Sequence, residues 1–242
     1  MIQKTALIAI SFIDFFYQKK IIDFLKKRRI NKLNLFFDVG AHKGESINLF
    51  LKNFNVKKII SFEASKINYN YLLRKEKTLK NKFKNSEICI ENIALGAKNK
   101  KVYFKQFYES SSSTIKDINK KSEYYKKKFK LLNFLGHKKV YQKFKINIKK
   151  LSDYIKKKKI KNIDFLKIDT EGYEYEILMG LGKKINCVNI VMFEHHYDNM
   201  IKKNYTFSDI NSLLVKNNFQ LIYKSKMPFR KTFEYIYKKK ER

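Results

Sequence analysis

Phe36-Phe37-Asp38-Val39-Gly40-Ala41-His42-Lys43-Gly44 is the stretch from which the rest of the chain can be read. The chain has 7 glycines in 242 residues, and two of them stand here, four positions apart. An apolar run (Leu33, Leu35, Phe36, Phe37) precedes them, and Ile47, Phe50, Leu51 and Phe54 follow at helical spacing. Strand, tight glycine turn and helix in that order bring backbone close to a nucleotide-bearing ligand. The third glycine of a dinucleotide fingerprint is absent. Asp38 adds a carboxylate at the strand tip, which would repel a pyrophosphate but attract an ammonium or sulfonium cation. The loop therefore suits S-adenosylmethionine better than a nicotinamide dinucleotide.

Outward from this turn, strands and helices alternate. Strands are expected at about 34–38, 58–62, 88–93, 163–168 and 188–193 as short apolar runs, the pattern of strands covered on both faces. Helices are expected at 44–54, from a Ser65 cap to about Leu79, at 151–157, after Gly172, and from a Ser208 cap to a left-handed stop at Asn217-Asn218. Segments 219–224 and 232–237 flank the only proline, Pro228, and predict a closing antiparallel hairpin. The fold class is thus α/β: a three-layer, Rossmann-like sandwich of the class I methyltransferase type, with a mostly parallel seven-stranded sheet. Residues 101–148 break the rhythm. Strands at 101–107 and 143–148 bracket Ser110–Thr114 and a lysine-rich helix at about 116–135, and this insertion is a natural place for substrate contact.

Composition sets the outer limits. With 44% hydrophobic and 15% aromatic residues, the chain can build a core despite a formal net charge of +33. Lysines are scattered through every segment, which matches a compositional bias toward Lys, Ile and Asn better than a nucleic-acid stripe, so nucleic acid is not the expected partner. Cys89 and Cys187 are expected in buried strands as small hydrophobes of a reducing, cytoplasmic compartment. Residues 1–30 form an N-terminal extension ahead of a methyltransferase domain at 31–242. Its apolar part, Thr5 to Tyr17, is too short to span a bilayer, and Lys19, Lys20, Lys26, Lys27, Arg28 and Arg29 follow. That helix is expected to pack on the domain edge, with peripheral contact to an anionic membrane as the alternative.

Ligands of open α/β sheets bind beyond the carboxyl ends of the strands. There the sequence places Asp38, Gly40, Ala41, His42 and Gly44, then Glu63, then Asn92, Ile93 and Ala94, then Asp169 to Gly172, then Glu194-His195-His196. Glu63 follows the glycine turn by about twenty residues, the place of an acid that bonds ribose hydroxyls.

Together, the 37–44 turn, Phe62-Glu63, Asn92-Ile93-Ala94-Leu95-Gly96 and Asp164-Phe165-Leu166-Lys167-Ile168-Asp169-Thr170-Glu171-Gly172-Tyr173-Glu174 resemble the FkbM family of S-adenosylmethionine-dependent methyltransferases, over about residues 33–225. His42 stands where that family usually carries Asn, and Ala64-Ser65 replaces a proline-containing sequence. The resemblance implies methyl transfer to a hydroxyl of a sugar, glycan or small metabolite. In-line displacement at an already activated methyl needs alignment, a dry pocket and a route for the hydroxyl proton. Asp169, Glu171, His195 and His196 are candidates for that route, with His195 preferred because an imidazole titrates near neutrality. Asp38, Gly40, Ala41, His42, Gly44, Glu63, Asn92, Ile93, Ala94 and Asp169 are assigned to the cofactor. A divalent metal on Asp169, Glu171, Glu194 and His195 is the alternative, and no metal is expected. An RNA-directed methyltransferase and a nicotinamide-dependent oxidoreductase are the competing functions. Against the former, the segment after 168 lacks the Asn/Asp-Pro-Pro-aromatic signature of amine methylation.

Overall fold

A computed structural model describes residues 17–108, 112–134, 139–228 and 230–241. The order is α1 (17–27), β1 (Lys32–Val39), α2 (Glu45–Asn53), β2 (Asn55–Phe62), α3 (Lys66–Lys82), β3 (Glu87–Glu91), β4 (Ala94–Gly96), β5 (Lys100–Phe107), β6 (Asp117–Ile118), α4 (Glu123–Phe134) and β7 (Tyr141–Lys150). Then come α5 (Leu151–Lys157), β8 (Ile163–Ile168), α6 (Glu174–Leu181), a 3-10 turn (Gly182–Cys187), β9 (Val188–His196), β10 (Ile201–Lys202), α7 (Phe207–Lys216), β11 (Phe219–Lys226) and β12 (Thr232–Lys239).

Seven strands form one sheet in the order β11-β12-β9-β8-β1-β2-β3. Five are mutually parallel, and β12 runs antiparallel to both neighbours, β9 and β11. The expected sandwich is therefore present, closing hairpin included. Successive side chains of a strand point to opposite faces, so neighbouring phenylalanines feed two cores. Phe37, Val39, Leu166 and Ile168 pack with α5, α6 and α7, while Phe36 and Phe165 pack with α1, α2 and α3. Phe36, Phe37 and Phe165 are 0% exposed, and each contributes about 1.5–3 kcal/mol by leaving water. Asp38 shares the parity of Phe36 and is buried toward α2, a fact that governs the site.

Several local expectations need correction. The third strand ends at Glu91, not at 93, because Ala94–Gly96 leaves the main sheet to pair with β7 in a second sheet of order β4-β7-β5. Among the described residues of the lysine-rich segment the helix covers 123–134, and Asp117–Ile118 pairs with β10 instead. Around that pairing Phe107, Tyr125, Leu132, Val140, Met200 and Ile201 bury an apolar cluster of their own. Thr206, not Ser208, caps α7 in a reciprocal box with Asp209. Asn218 takes the expected left-handed stop at φ 67. Neither cysteine is buried: both are half-buried and free, Cys89 on edge strand β3 and Cys187 in the 3-10 turn.

Most of the Thr5–Tyr17 stretch lies outside the described residues. The described α1 inserts Tyr17, Ile21, Ile22 and Leu25 into the core and leaves Lys19, Lys20, Lys26 and Lys27 exposed. No described helix is long and apolar enough to cross a membrane.

Candidate active site

A cleft of about 570 Å³, open mouth included, lies beyond the carboxyl ends of β1, β2 and β8. Gly40, His42, Glu63, Ile93, Ala94, Asp169 and Glu171 line it, as the sequence placed them. Gly40 sits at φ 88 where β1 passes the end of β8. A Cβ there would stand 1.8 Å from the Asp169 carbonyl oxygen. No side chain fits that approach, and Gly40→Ala is expected to cost about 2–3 kcal/mol in denaturant unfolding and to abolish binding in the cleft.

Glu63 is folded against its own loops. Its Oε2 accepts from the His42 N–H at 2.7 Å, and its Oε1 from the Ser65 N–H at 2.7 Å. Burial pushes its carboxyl up to about 7, against those two donors. Each oxygen keeps a lone pair for a hydroxyl in the cleft. His42 itself adopts φ 49, a left-handed position that Asn tolerates better than most residues.

Asn92, Ala41, Gly44 and Asp38 do not line the cleft. Asn92 is a strut, donating from Nδ2 to the Glu63 carbonyl at 2.8 Å. Ala41 is core, and Gly44 caps α2. Asp38 is 0% exposed and neither carboxylate oxygen has a hydrogen-bond partner. Burial raises it to about 6, opposed by Lys167. Lys167 pairs with Asp38 in the β1–β8 register and reaches Asp169 Oδ2 at 2.8 Å. Burial works against the lysine's charge, but Asp169 and Asp38 hold it protonated. Glu194 and Glu234, in register on β9 and β12, crowd the same cation. Burial lifts Glu194 well above the usual carboxylate range and brings Glu234 to about 7.

The Asp169–Gly172 loop owes its shape to Glu174, fully buried at the head of α6. Its Oε1 accepts from the backbone N–H groups of Thr170 at 3.2 Å and Gly172 at 3.0 Å, and its Oε2 from the Tyr205 hydroxyl at 2.6 Å. So anchored, the loop holds Glu171 at φ 53 in the wall of the cleft. Strain of this kind persists where surrounding bonds over-determine the backbone. His196 Nε2 stands 3.3 Å from Glu171 Oε2 and 3.7 Å from Glu194 Oε2, and its Nδ1 lies 3.0 Å from Thr232 Oγ1. Burial opposes its charge, but Glu171, Asp198 and Glu194 together raise His196 to about 10. Burial in turn raises Glu171 to about 7, tempered by the His196 cation.

His195 requires correction. Alternation along β9 turns it away from Glu171, against Tyr197, Tyr205 and Phe207. It is 3% exposed and does not line the cleft. Burial, Lys203 and His196 depress it to about 3. An imidazole so placed stays neutral and out of reach of an acceptor. Nor does it join Asp169, Glu171 and Glu194: among the described residues no group of three or more His, Cys, Asp or Glu side chains is arranged to hold a metal. Residues passed over in the sequence complete the wall: Phe104, Ser113 and Ile115 from the inserted block, and Tyr173 after the loop. For the first three the only sequence signal was membership of a block that interrupts the β-α rhythm, whereas Tyr173 stands in the 164–174 run.

The geometry fits S-adenosylmethionine on features of the chain itself: a cradle at Gly40 that any Cβ would fill, the buried Glu63 and the Asp169 carboxylate in the same cleft, and an apolar Ile93–Leu95 flank.

The FkbM methyltransferase domain model matches residues 38–221. A crystal structure of methyltransferase FkbM from Methylobacillus flagellatus KT is similar at 16% identity with a TM-score of 0.53, over 85% of this chain and 44% of that one. A magnesium protoporphyrin IX methyltransferase from Synechocystis PCC 6803, solved with bound SAM, is similar at 8% identity with a TM-score of 0.52, over 96% and 82%. The chain thus spans less than half of the Methylobacillus protein, and at these identities the likeness is one of fold. No curated protein matches the chain.

Proposed function

The chain belongs to the FkbM methyltransferase family, and on that premise we propose that it is an S-adenosylmethionine-dependent O-methyltransferase acting on a hydroxyl of a sugar, glycan or small metabolite. The observation that supports this reading is Glu171, a carboxylate in the cleft wall raised to about 7 and set 3.3 Å from the His196 imidazole, itself raised to about 10. The donor, when bound, supplies a methyl group already activated by its sulfonium. Gly40 and the Ile93–Leu95 flank admit its adenosyl part, and Glu63 accepts from its ribose hydroxyls. Asp169, in the cleft wall, would face its positive charge, while Asp38 helps to hold the Lys167 that positions Asp169. Glu171 takes the acceptor's hydroxyl proton, and His196 holds the resulting neutral carboxyl in place.

Two measurements test this. Calorimetry with S-adenosylhomocysteine and with NADH should show saturable binding of the first only; tighter NADH binding ends the proposal. Methyl-labelled donor should then mark an envelope-glycan or metabolite fraction, and labelling of total RNA alone would refute the acceptor class.

Stability should also depend on pH with a definite sign. Asp38, Glu63, Glu171 and Glu234 titrate at about 6 to 7 in the folded chain and near 4 when unfolded. Between those values the folded state binds more protons, so these groups make stability fall as pH rises. His196, raised to about 10, acts in the same direction above its unfolded value, while His195, depressed to about 3, opposes them below it. Without ligand, Tm should be about 5 °C lower at pH 8 than at pH 5.5 by scanning calorimetry. S-adenosylhomocysteine should recover more of it at pH 8; a flat or rising Tm would contradict the assigned burial.

A further inference from the structure

Beside the cleft, sharing Ile93 with it, lies a second, open groove of about 1150 Å³, open mouth included. It opens between the end of edge strand β3, the start of β5, the end of β7 and the outer side of α5. Lys100 and Lys101 enter from β5, Lys149 from β7, and Lys157 and Lys158 from the end of α5. Elsewhere on this surface, lysines with a carboxylate in reach pair with it, as Lys58 does with Glu87 at 2.6 Å and Lys126 with Glu123 at 2.7 Å.

In the groove only Lys158 has such a partner, Glu91 at 3.7 Å. Among the described residues no ion pair involves Lys100, Lys101, Lys149 or Lys157. The two acids of the lining are already engaged: Glu91 accepts from the Tyr154 hydroxyl at 2.8 Å, and Asp153 from Asn99 Nδ2 at 3.0 Å. Asn99 in turn accepts from the Lys150 N–H at 2.7 Å, which ties the rim of β5 to that of β7. The walls are thus pinned by their acids, while four lysines from three elements line the groove without a carboxylate partner, Lys101 and Lys149 on one face of the β5–β7 pair. Like charges gathered in a concavity repel one another, and the low-dielectric walls focus their field on whatever anion enters.

We propose that this groove binds a diphosphate group, with the rest of the ligand lying on Ile93, Ile148 and Tyr154. A single monoanion would leave most of this charge unmatched, whereas a diphosphate can meet lysines on opposite walls at once. Lysine ammonium groups serve as point-charge partners for phosphate oxygens. The groove shares Ile93, and no other lining residue, with the cleft that contains Glu171, so it would hold a ligand, or the remote end of one, apart from the reacting hydroxyl.

The test is calorimetric titration of the full chain, at near-physiological salt, with inorganic pyrophosphate and with uridine diphosphate. One saturable site per chain is expected for pyrophosphate. The variant Lys101→Gln/Lys149→Gln/Lys157→Gln should weaken it by about 10-fold or more. A variant that removes the same charge elsewhere, Lys183→Gln/Lys216→Gln/Lys240→Gln, should change it less than about 2-fold. These side chains are exposed in both variants, so folding is not at stake. Tighter uridine diphosphate than pyrophosphate assigns a nucleotide source, and equal affinity a diphosphate on another carrier. Absence of saturable binding, or equal weakening by both variants, overturns the proposal. No methyl donor enters the titration, so its outcome is separate from that of the methyl-transfer reading.

Discussion

Glu171→Gln is expected to lower kcat by about 10²–10⁴-fold, the usual loss when a positioned proton acceptor is removed. KM for the methyl donor should stay within about 3-fold, because an amide keeps the volume of the carboxylate and its place on the loop fixed by Glu174. The pH–rate profile of the intact chain should rise through an apparent value near 7, where burial places the Glu171 carboxyl. His196→Gln supplies the sign test. The imidazolium lowers the Glu171 value, so its removal should move the rising limb to higher pH. His195→Phe should leave the profile where it was, since that ring packs against Tyr205 and Phe207 outside the cleft. Activity of Glu171→Gln within 3-fold of the parent would remove Glu171 from the chemistry.

Lys167→Met should be the most destabilising single substitution in the sheet, by about 3–5 kcal/mol at pH 8, the range for stripping one partner from a buried ion cluster. Methionine fills the same volume, so packing is not the cause. What is lost is the cation shared by Asp38, Asp169, Glu194 and Glu234, of which Asp38 and Glu234 each carry oxygen atoms with no hydrogen-bond partner. At pH 5.5 the loss should shrink, because carboxyls already raised toward 6 or 7 bind protons instead of leaving bare charge. Urea unfolding at the two pH values measures this directly. An equal loss at both would mean the lysine acts through packing alone.

The position of His195 shows where sequence reading ran out. Glu194, His195 and His196 follow one another at the end of a strand, and the local sequence favours the middle one no less than its neighbours. Period-two alternation settles which of them share a face, but only the partner strands settle which face meets the cleft. Asp38 carries the same lesson. Its place at the strand tip was legible, yet alternation from Phe36 sends its side chain under the glycine loop, where it acts through Lys167. Glu171 and Glu63 were legible as site residues because each directly follows or closely trails an apolar strand, and an open α/β sheet collects its ligands at that edge. Phe104, Ser113 and Ile115 were not, because no local pattern says onto what an inserted block folds.

Order of elements, a sheet closed by an antiparallel hairpin, and a glycine bend built for close approach are dictated locally, by the spacing of apolar residues and by two glycines. Those signals act within a few residues, so a chain read alone carries them. The charge states at the catalytic edge arise otherwise. They depend on burial and on carboxylates brought together from β1, β8, β9 and β12, segments as far apart as Asp38 and Glu234. Desolvation and Coulomb coupling act through space, and only the folded sheet sets those distances.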